Sequence, residues 1–418
     1  MPEDQSHPDA RWALPAHAGA CALVQSTAWA LQGVMPVLAI KRFHANEWQA
    51  LLITATPVVF YSLSIFWNDL LRRSRFGHYL ATFWLIASLP LAFIALADTY
   101  WHLLVAHLVA CVGGAGLPSI NSEVLQSLYH PSRRGRMYSI NWGLTAVATA
   151  FFGFSLGAWL NADEEAFRLF LPIIAGLQGL GVLLFGWLSR VSGHAHTPAP
   201  GASGLARLVD PIVHMRAILK ADPVFARYEA AYMTYGVGWM IAAALLPNLV
   251  TAKLELDYKQ IAESTQVAYL AALVLALFPA GLLMDRMGAV RSTAISFLML
   301  AGYPLALAFV SDQHQLLFVS VYFGLAHAGA SVGWTVGPVS LAPSPDKATA
   351  YLAIHATFVG IRGKLFQGLG VLLYWATGDF TVPLLVAAGA YLWSGWQMRS
   401  LDRRMRAEKS PATPPAGA

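Results

Sequence analysis

Apolar runs of near-constant length recur along the whole chain, and that recurrence leaves few folds open. About 20 apolar residues cross a bilayer as a helix. Runs of that size lie near 17–40, 48–67, 79–97, 102–126, 137–160 and 169–188, then near 225–250, 264–284, 292–310, 315–341, 351–375 and 381–398. Helix follows, because an open strand cannot satisfy its backbone in hydrocarbon. Apolar residues make up 57% of the chain and charged residues 12%, about half the charged share of a soluble domain. So few charges cannot cover a water-facing surface, and lipid must solvate much of it. The expected fold is an all-α membrane protein with twelve transmembrane helices in two six-helix bundles.

The polar segments divide the chain. Residues 1–16 read as an N-terminal tail, 17–188 as a first bundle, 189–224 as a linker, 225–398 as a second bundle and 399–418 as a basic tail. The tail carries Glu3, Asp4 and Asp9, and the first apolar run is long enough to span and stay, so no cleavable signal peptide is expected. The linker opens on a Gly/Pro/Ser/Ala-rich stretch, 193–204, and its second part, Leu205–Lys220, mixes basic and apolar residues as a helix lying on a membrane surface would. His194 and His196 have no third ligand nearby and read as solvated linker, so no metal and no cofactor is expected. Cys21 and Cys111 both fall in apolar runs, which argues against a disulfide framework. With the N-terminus inside, twenty of the 27 Lys and Arg fall on the inner side, five on the outer side and two within a span. This bias puts both termini in the cytoplasm of a bacterial-type inner membrane.

A charged hinge is used twice. Gly281-Leu-Leu-Met-Asp285-Arg286-Met-Gly288-Ala-Val-Arg291 joins the eighth and ninth runs. Asp69 and Arg75 stand opposite Asp285 and Arg291 at a common offset of 216 residues (285 − 69 and 291 − 75). Ile65, Leu70 and Arg72 replace the first Gly, the Arg and the second Gly in the earlier copy. One six-helix unit used twice accounts for the pattern. The later copy resembles the loop signature of the major facilitator superfamily. Pro118-Ser-Ile-Asn-Ser-Glu123 with Arg134-Gly135-Arg-Met-Tyr-Ser139-Ile-Asn141 is similar to the cytoplasmic ends of the fourth and fifth helices in that family. The resemblance implies alternating access by two bundles. It also implies a cytoplasmic gate, assigned here to Asp69, Arg72, Arg73, Arg75, Glu123, Arg133, Arg134, Asp285, Arg286 and Arg291. Asp69 and Asp285 end helices where arginines and positive helix-dipole ends of the other bundle should lie. The alternative for the arginines is a purely topogenic role.

Ile361-Arg362-Gly363-Lys364 is the sharpest single feature. If its helix starts near Tyr351, both cations lie near the midplane, where each is costly unless paired or wet. Two positions apart on a helix is about 200°, so at most one enters a central cavity. Arg362 beside Gly363 is the choice, binding an anionic group or pairing with an acid. A helix broken at Gly360 and Gly363 would instead leave both cations at the inner surface. His355 lies two turns earlier on the same side, and His327 and Glu229 complete the proton-coupling candidates. Packing is the competing role for the histidines, and an interfacial position for Glu229.

By the resemblance, the first, fourth, seventh and tenth helices line the pathway. They offer Gln25, Gln32, Asn121, Tyr232, Tyr235, Trp239, His327 and Trp334, and Arg362 joins them from the eleventh. An aromatic and amide lining with no midplane carboxylate suits an uncharged or anionic organic solute. The expected function is secondary active transport of a small organic solute, coupled to an ion or a proton, by a monomer that meets lipid, solute and protons but no nucleic acid. Proton-coupled efflux of drugs or metabolites is the alternative within that class. A non-transporting receptor or assembly factor, or a membrane enzyme, is the alternative outside it. No catalytic cluster and no phosphate-binding loop pattern is present to favour the enzyme.

Overall fold

A computed structural model describes residues 12–129, 134–192, 206–344 and 347–409. Among them, long helical segments run over 13–41, 47–73, 76–94, 100–128, 134–162, 164–191, 223–253, 258–287, 289–308, 313–341, 348–377 and 381–409. They are called the first to twelfth spans. Nine are apolar enough along their length to cross a membrane by composition alone. The second, eleventh and twelfth are less apolar but long enough and packed into the same bundle. The linker forms the helix Ala206–Ala221.

Most spans outrun the apolar runs that announce them, because their ends carry charge that hydropathy does not count. The second span continues to Arg73 and the twelfth to Lys409, so residues 399–409 of the expected tail are helical. The eleventh passes Gly360 and Gly363 unbroken. Asn46, Asp222, Asp257 and Asp312 cap the starts of their helices by accepting from backbone N–H groups. Short π-turns at Ala22–Ser26, Trp84–Ser88, Leu249–Lys253 and Glu263–Ala268 interrupt four spans.

The duplicated hinge is built in two ways. After the eighth span, Gly288 adopts φ 82°, ψ 157°, a region essentially closed to residues with a Cβ. After the second span the reversal runs through Ser74 (φ −107°, ψ 154°) and Arg75 (φ −62°, ψ 138°), ordinary extended conformations. The first copy therefore needs no glycine, and Arg72 can stand at that register.

The apolar core is not symmetric from end to end. At the end carrying connections 42–46, 95–99, 254–257 and 309–312, one cluster joins both groups of six. Val34, Met35 and Leu38 share it with Ile241, Leu245 and Leu249. At the opposite end three clusters each keep to one group. One holds residues between Ala20 and Leu188, a second residues between Tyr228 and Leu401, and a third Phe225, Tyr351 and Ile354. The groups also meet along the second and eleventh spans and along the fifth and eighth. The first end is called the sealed end below, the other the split end.

Helix contacts in lipid depend on close approach rather than on hydrophobic exclusion. A Cβ on Gly113 would come within 2.2 Å of the Ala87 backbone nitrogen, where the third and fourth spans touch. Gly113→Val should therefore destabilise the protein by at least about 1–3 kcal/mol, read as a lower unfolding midpoint in detergent. The neighbouring Gly114→Ala, whose Cβ meets nothing within 4 Å, should be neutral or stabilising by up to ~1 kcal/mol.

Candidate functional site

The seventh span starts at Pro223 under the Asp222 cap, and the Tyr351 hydroxyl donates to the other Asp222 oxygen at 2.9 Å. That contact sets the register of the eleventh span against the seventh. Glu229, Tyr232 and Gly236 are spaced 3 and 4 apart on the seventh span (232 − 229, 236 − 232), and His355 and Arg362 are 7 apart on the eleventh (362 − 355). Each set shares a helix face, and the faces meet.

His355 Nδ1 lies 3.0 Å from both carboxylate oxygens of Glu229, and the two side chains are 1% and 3% exposed. Arg362 Nη1 donates to the Tyr232 carbonyl at 3.0 Å, and the guanidinium carbon sits 5.6 Å above the Tyr235 ring. Arg362 is 4% exposed. It fits because Gly236 has no side chain: a Cβ there would lie 2.2 Å from Arg362 Cδ. Lys364 points elsewhere and is exposed, as two positions of helix rotation require. Aromatic rings close the site. Tyr232 meets the His355 ring edge-on at 4.6 Å, Trp334 meets it at 5.3 Å, and Tyr235 stacks on Phe297 at 4.5 Å.

Three polar atoms of this cluster have no hydrogen-bond partner among the described residues: His355 Nε2, Arg362 Nε and the Tyr391 hydroxyl. Unsatisfied groups at this depth are costly, and in native proteins they mark places that do something. The set brings a carboxylate, an imidazole and a guanidinium together in one buried place between two spans.

The other candidates fall into separate places. His327 belongs to a second cluster, with Nδ1 2.8 Å from the Tyr269 hydroxyl, its ring against Trp239 at 4.5 Å and parallel to Phe323. In the first group of spans, Asn121 donates to Gln25 at 2.6 Å, Asn141 donates to the Cys21 sulfur at 3.1 Å and Trp29 meets Trp142 edge-on. Gln32 is exposed, with no hydrogen bond among the described residues. Of the gate residues, Arg73 bonds Asp69 at 2.8 Å within one helix, while Asp285, Arg286 and Arg291 are exposed at the split end. Glu123 is partly buried in the fourth span. The side chains of Arg72 and Arg134, and Arg133 altogether, lie outside the described residues.

Sequence reasoning passed over Tyr228, Gly236, Phe297 and Tyr391. Nothing local separates them from ordinary packing in an apolar helix. Gly236→Val should push Arg362 off the Tyr232 carbonyl and reproduce the loss of function of an Arg362 variant with only a modest fall in thermal stability. The check is to compare uptake and unfolding midpoint in the same preparation.

Known proteins share this architecture. The peptide transporter POT in complex with sulfate superposes with a TM-score of 0.75, covering 97% of this chain and 96% of that one at 13% identity. The human organic anion transporter MFSD10 gives 0.67, covering 94% and 100% at 14% identity. At such identities the likeness is one of fold. In sequence, the multidrug resistance protein MdtH of Proteus mirabilis (strain HI4320) is 26% identical over 180 residues, 42% of this chain and 44% of that protein. The matched stretch thus spans less than half of that relative. A family description, that of the Major Facilitator Superfamily, matches residues 18–363. These are membrane transporters rather than enzymes, and this chain is an integral membrane protein that belongs to the Major Facilitator Superfamily.

Proposed function

We propose that this protein is a secondary transporter of a small organic solute, uncharged or anionic, that couples solute movement to protons through Glu229 and His355. The observation that carries the reading is the buried carboxylate, imidazole and guanidinium held between the seventh and eleventh spans. A buried charge of this kind persists where it is paired and where function needs it. The 17–188 and 225–398 bundles are the two bodies that rock. The bias of Lys and Arg favours a cytoplasmic split end in a bacterial-type inner membrane, and on that reading this is the inward-opening member of the cycle. Gln25, Gln32 and Asn121 on one side, and Trp239, His327 and Trp334 on the other, are the solute-lining candidates. The exposed Asp285, Arg286 and Arg291 fit this state, because the cytoplasmic gate to which they are assigned closes only in the other one.

The matched stretch of a relative named for multidrug resistance favours export over import as the direction. A thermal-shift screen of the purified monomer against metabolite and drug panels, followed by flux of the hits in proteoliposomes, tests the whole reading. Flux that rises with an imposed pH gradient supports it. Binding without flux under any gradient would make the protein a receptor of transporter ancestry.

A further inference from the structure

At the sealed end, one polar side chain lies in the seam where the two groups of spans meet. Gln266 sits on the π-turn Glu263–Ala268 of the eighth span and is buried at 8% exposure. Its carboxamide lies between two glycines of the other group. A Cβ on Gly33 of the first span would come within 2.5 Å of Gln266 Nε2, and one on Gly153 of the fifth span within 1.9 Å of Oε1. One turn on, a Cβ on Gly157 would lie 2.6 Å from the Ala262 Cβ and 2.8 Å from the Tyr258 carbonyl. Among the described residues the Gln266 oxygen has no hydrogen-bond partner.

These facts conflict as a packing solution and agree as a latch. A tight apolar seam would place Leu or Ala at 266, not a polar group whose acceptor is starved. A permanent polar contact would give the oxygen a donor. We propose that Gln266 is the latch of the sealed end. Its carboxamide enters the slot between Gly33 and Gly153 when this end closes, and leaves it to be hydrated when this end opens. The unsatisfied oxygen keeps the closed state from becoming too deep, because water repays it on opening. The π-turn supplies the extra residue that aims 266 across the interface. This rests on the alternating-access reading above, but its test is conformational and needs no solute.

The experiment uses the full chain in lipid nanodiscs with Cys21→Ala and Cys111→Ala, and spin labels at Ala162→Cys and Ser311→Cys, exposed residues beside the sealed-end connections of opposite groups. Electron–electron distances between the labels report the closure. Wild type should show mainly the short distance. Gly153→Ala fills the slot and should move the population toward the long distance by about tenfold or more. Gly143→Ala on the same helix, whose Cβ meets nothing within 4 Å, should leave the distribution unchanged. Adding Gln266→Ala to Gly153→Ala empties the slot again and should restore the short distance. That rescue separates a latch from general damage to the fifth span. An unchanged distribution in Gly153→Ala would overturn the proposal. So would failure of Gln266→Ala to reverse the shift, or failure of both the single and the double variant to fold.

Discussion

Arg362→Ala should cut solute flux by about a hundredfold, equivalent to roughly 2.7 kcal/mol, while the protein still inserts and purifies folded. An exposed cation would matter little, since surface pairs are worth about 0–1 kcal/mol. Arg362 is in the other regime, at 4% exposure beside a carboxylate at 3%. Removing one member of a buried set leaves the rest uncompensated, at a cost of about 3–5 kcal/mol. Glu229 keeps His355 Nδ1 against both of its oxygens, so the carboxylate is not left alone and the loss appears mainly in function. The guanidinium does not stand in an open cavity. It holds the Tyr232 carbonyl and lies across the Tyr235 ring, so it acts by fixing the seventh span against the eleventh. Arg362→Lys keeps the charge but not the planar fork, and it should recover stability more than flux. Normal flux in Arg362→Ala would reduce Arg362 to packing.

Glu229→Gln should uncouple the transporter. Glutamine keeps the shape and can still bond His355 Nδ1, but it cannot carry a proton through the cycle. Flux should lose its response to an imposed pH gradient, falling to the level driven by the solute gradient alone, while solute-for-solute exchange across the same vesicles continues. Counterflow and gradient-driven uptake measured side by side separate the two. A variant that still concentrates solute in response to the gradient would remove Glu229 from the coupling path and pass the role to His327, whose ring nitrogen meets the Tyr269 hydroxyl.

The fold was legible because lipid imposes a length, and every run of that length became a helix. What the runs could not show was their ends. Arg73 and Lys409 lie in helices whose last turns carry charges at the water boundary. The cation pair at 362 and 364 was legible from rotation alone, which put one inside and one out. The acid that accompanies Arg362 was harder to place. Glu229 sits only two turns into its span, and its partner His355 is 126 residues away, a distance that no local pattern bridges. The hinge glycine shows the converse. Arg72 stands in its place in the first copy, and the Ser74–Arg75 turn has no positive φ to demand a glycine. Gln266 carried no signal, since one glutamine in an apolar run reads as filler until its neighbours prove to be glycines of another helix.

The account depends most on one end closing as the other opens. Distances measured across both ends of the same protein test this directly, with labels at Ala162→Cys and Ser311→Cys for the sealed end and at His78→Cys and Arg403→Cys for the split end. As pH, a transported solute or the Gly153→Ala variant shifts the equilibrium, the sealed-end distance should lengthen in the same proportion of molecules in which the split-end distance shortens. Two distances that stay fixed under every condition, or that lengthen together, would contradict it.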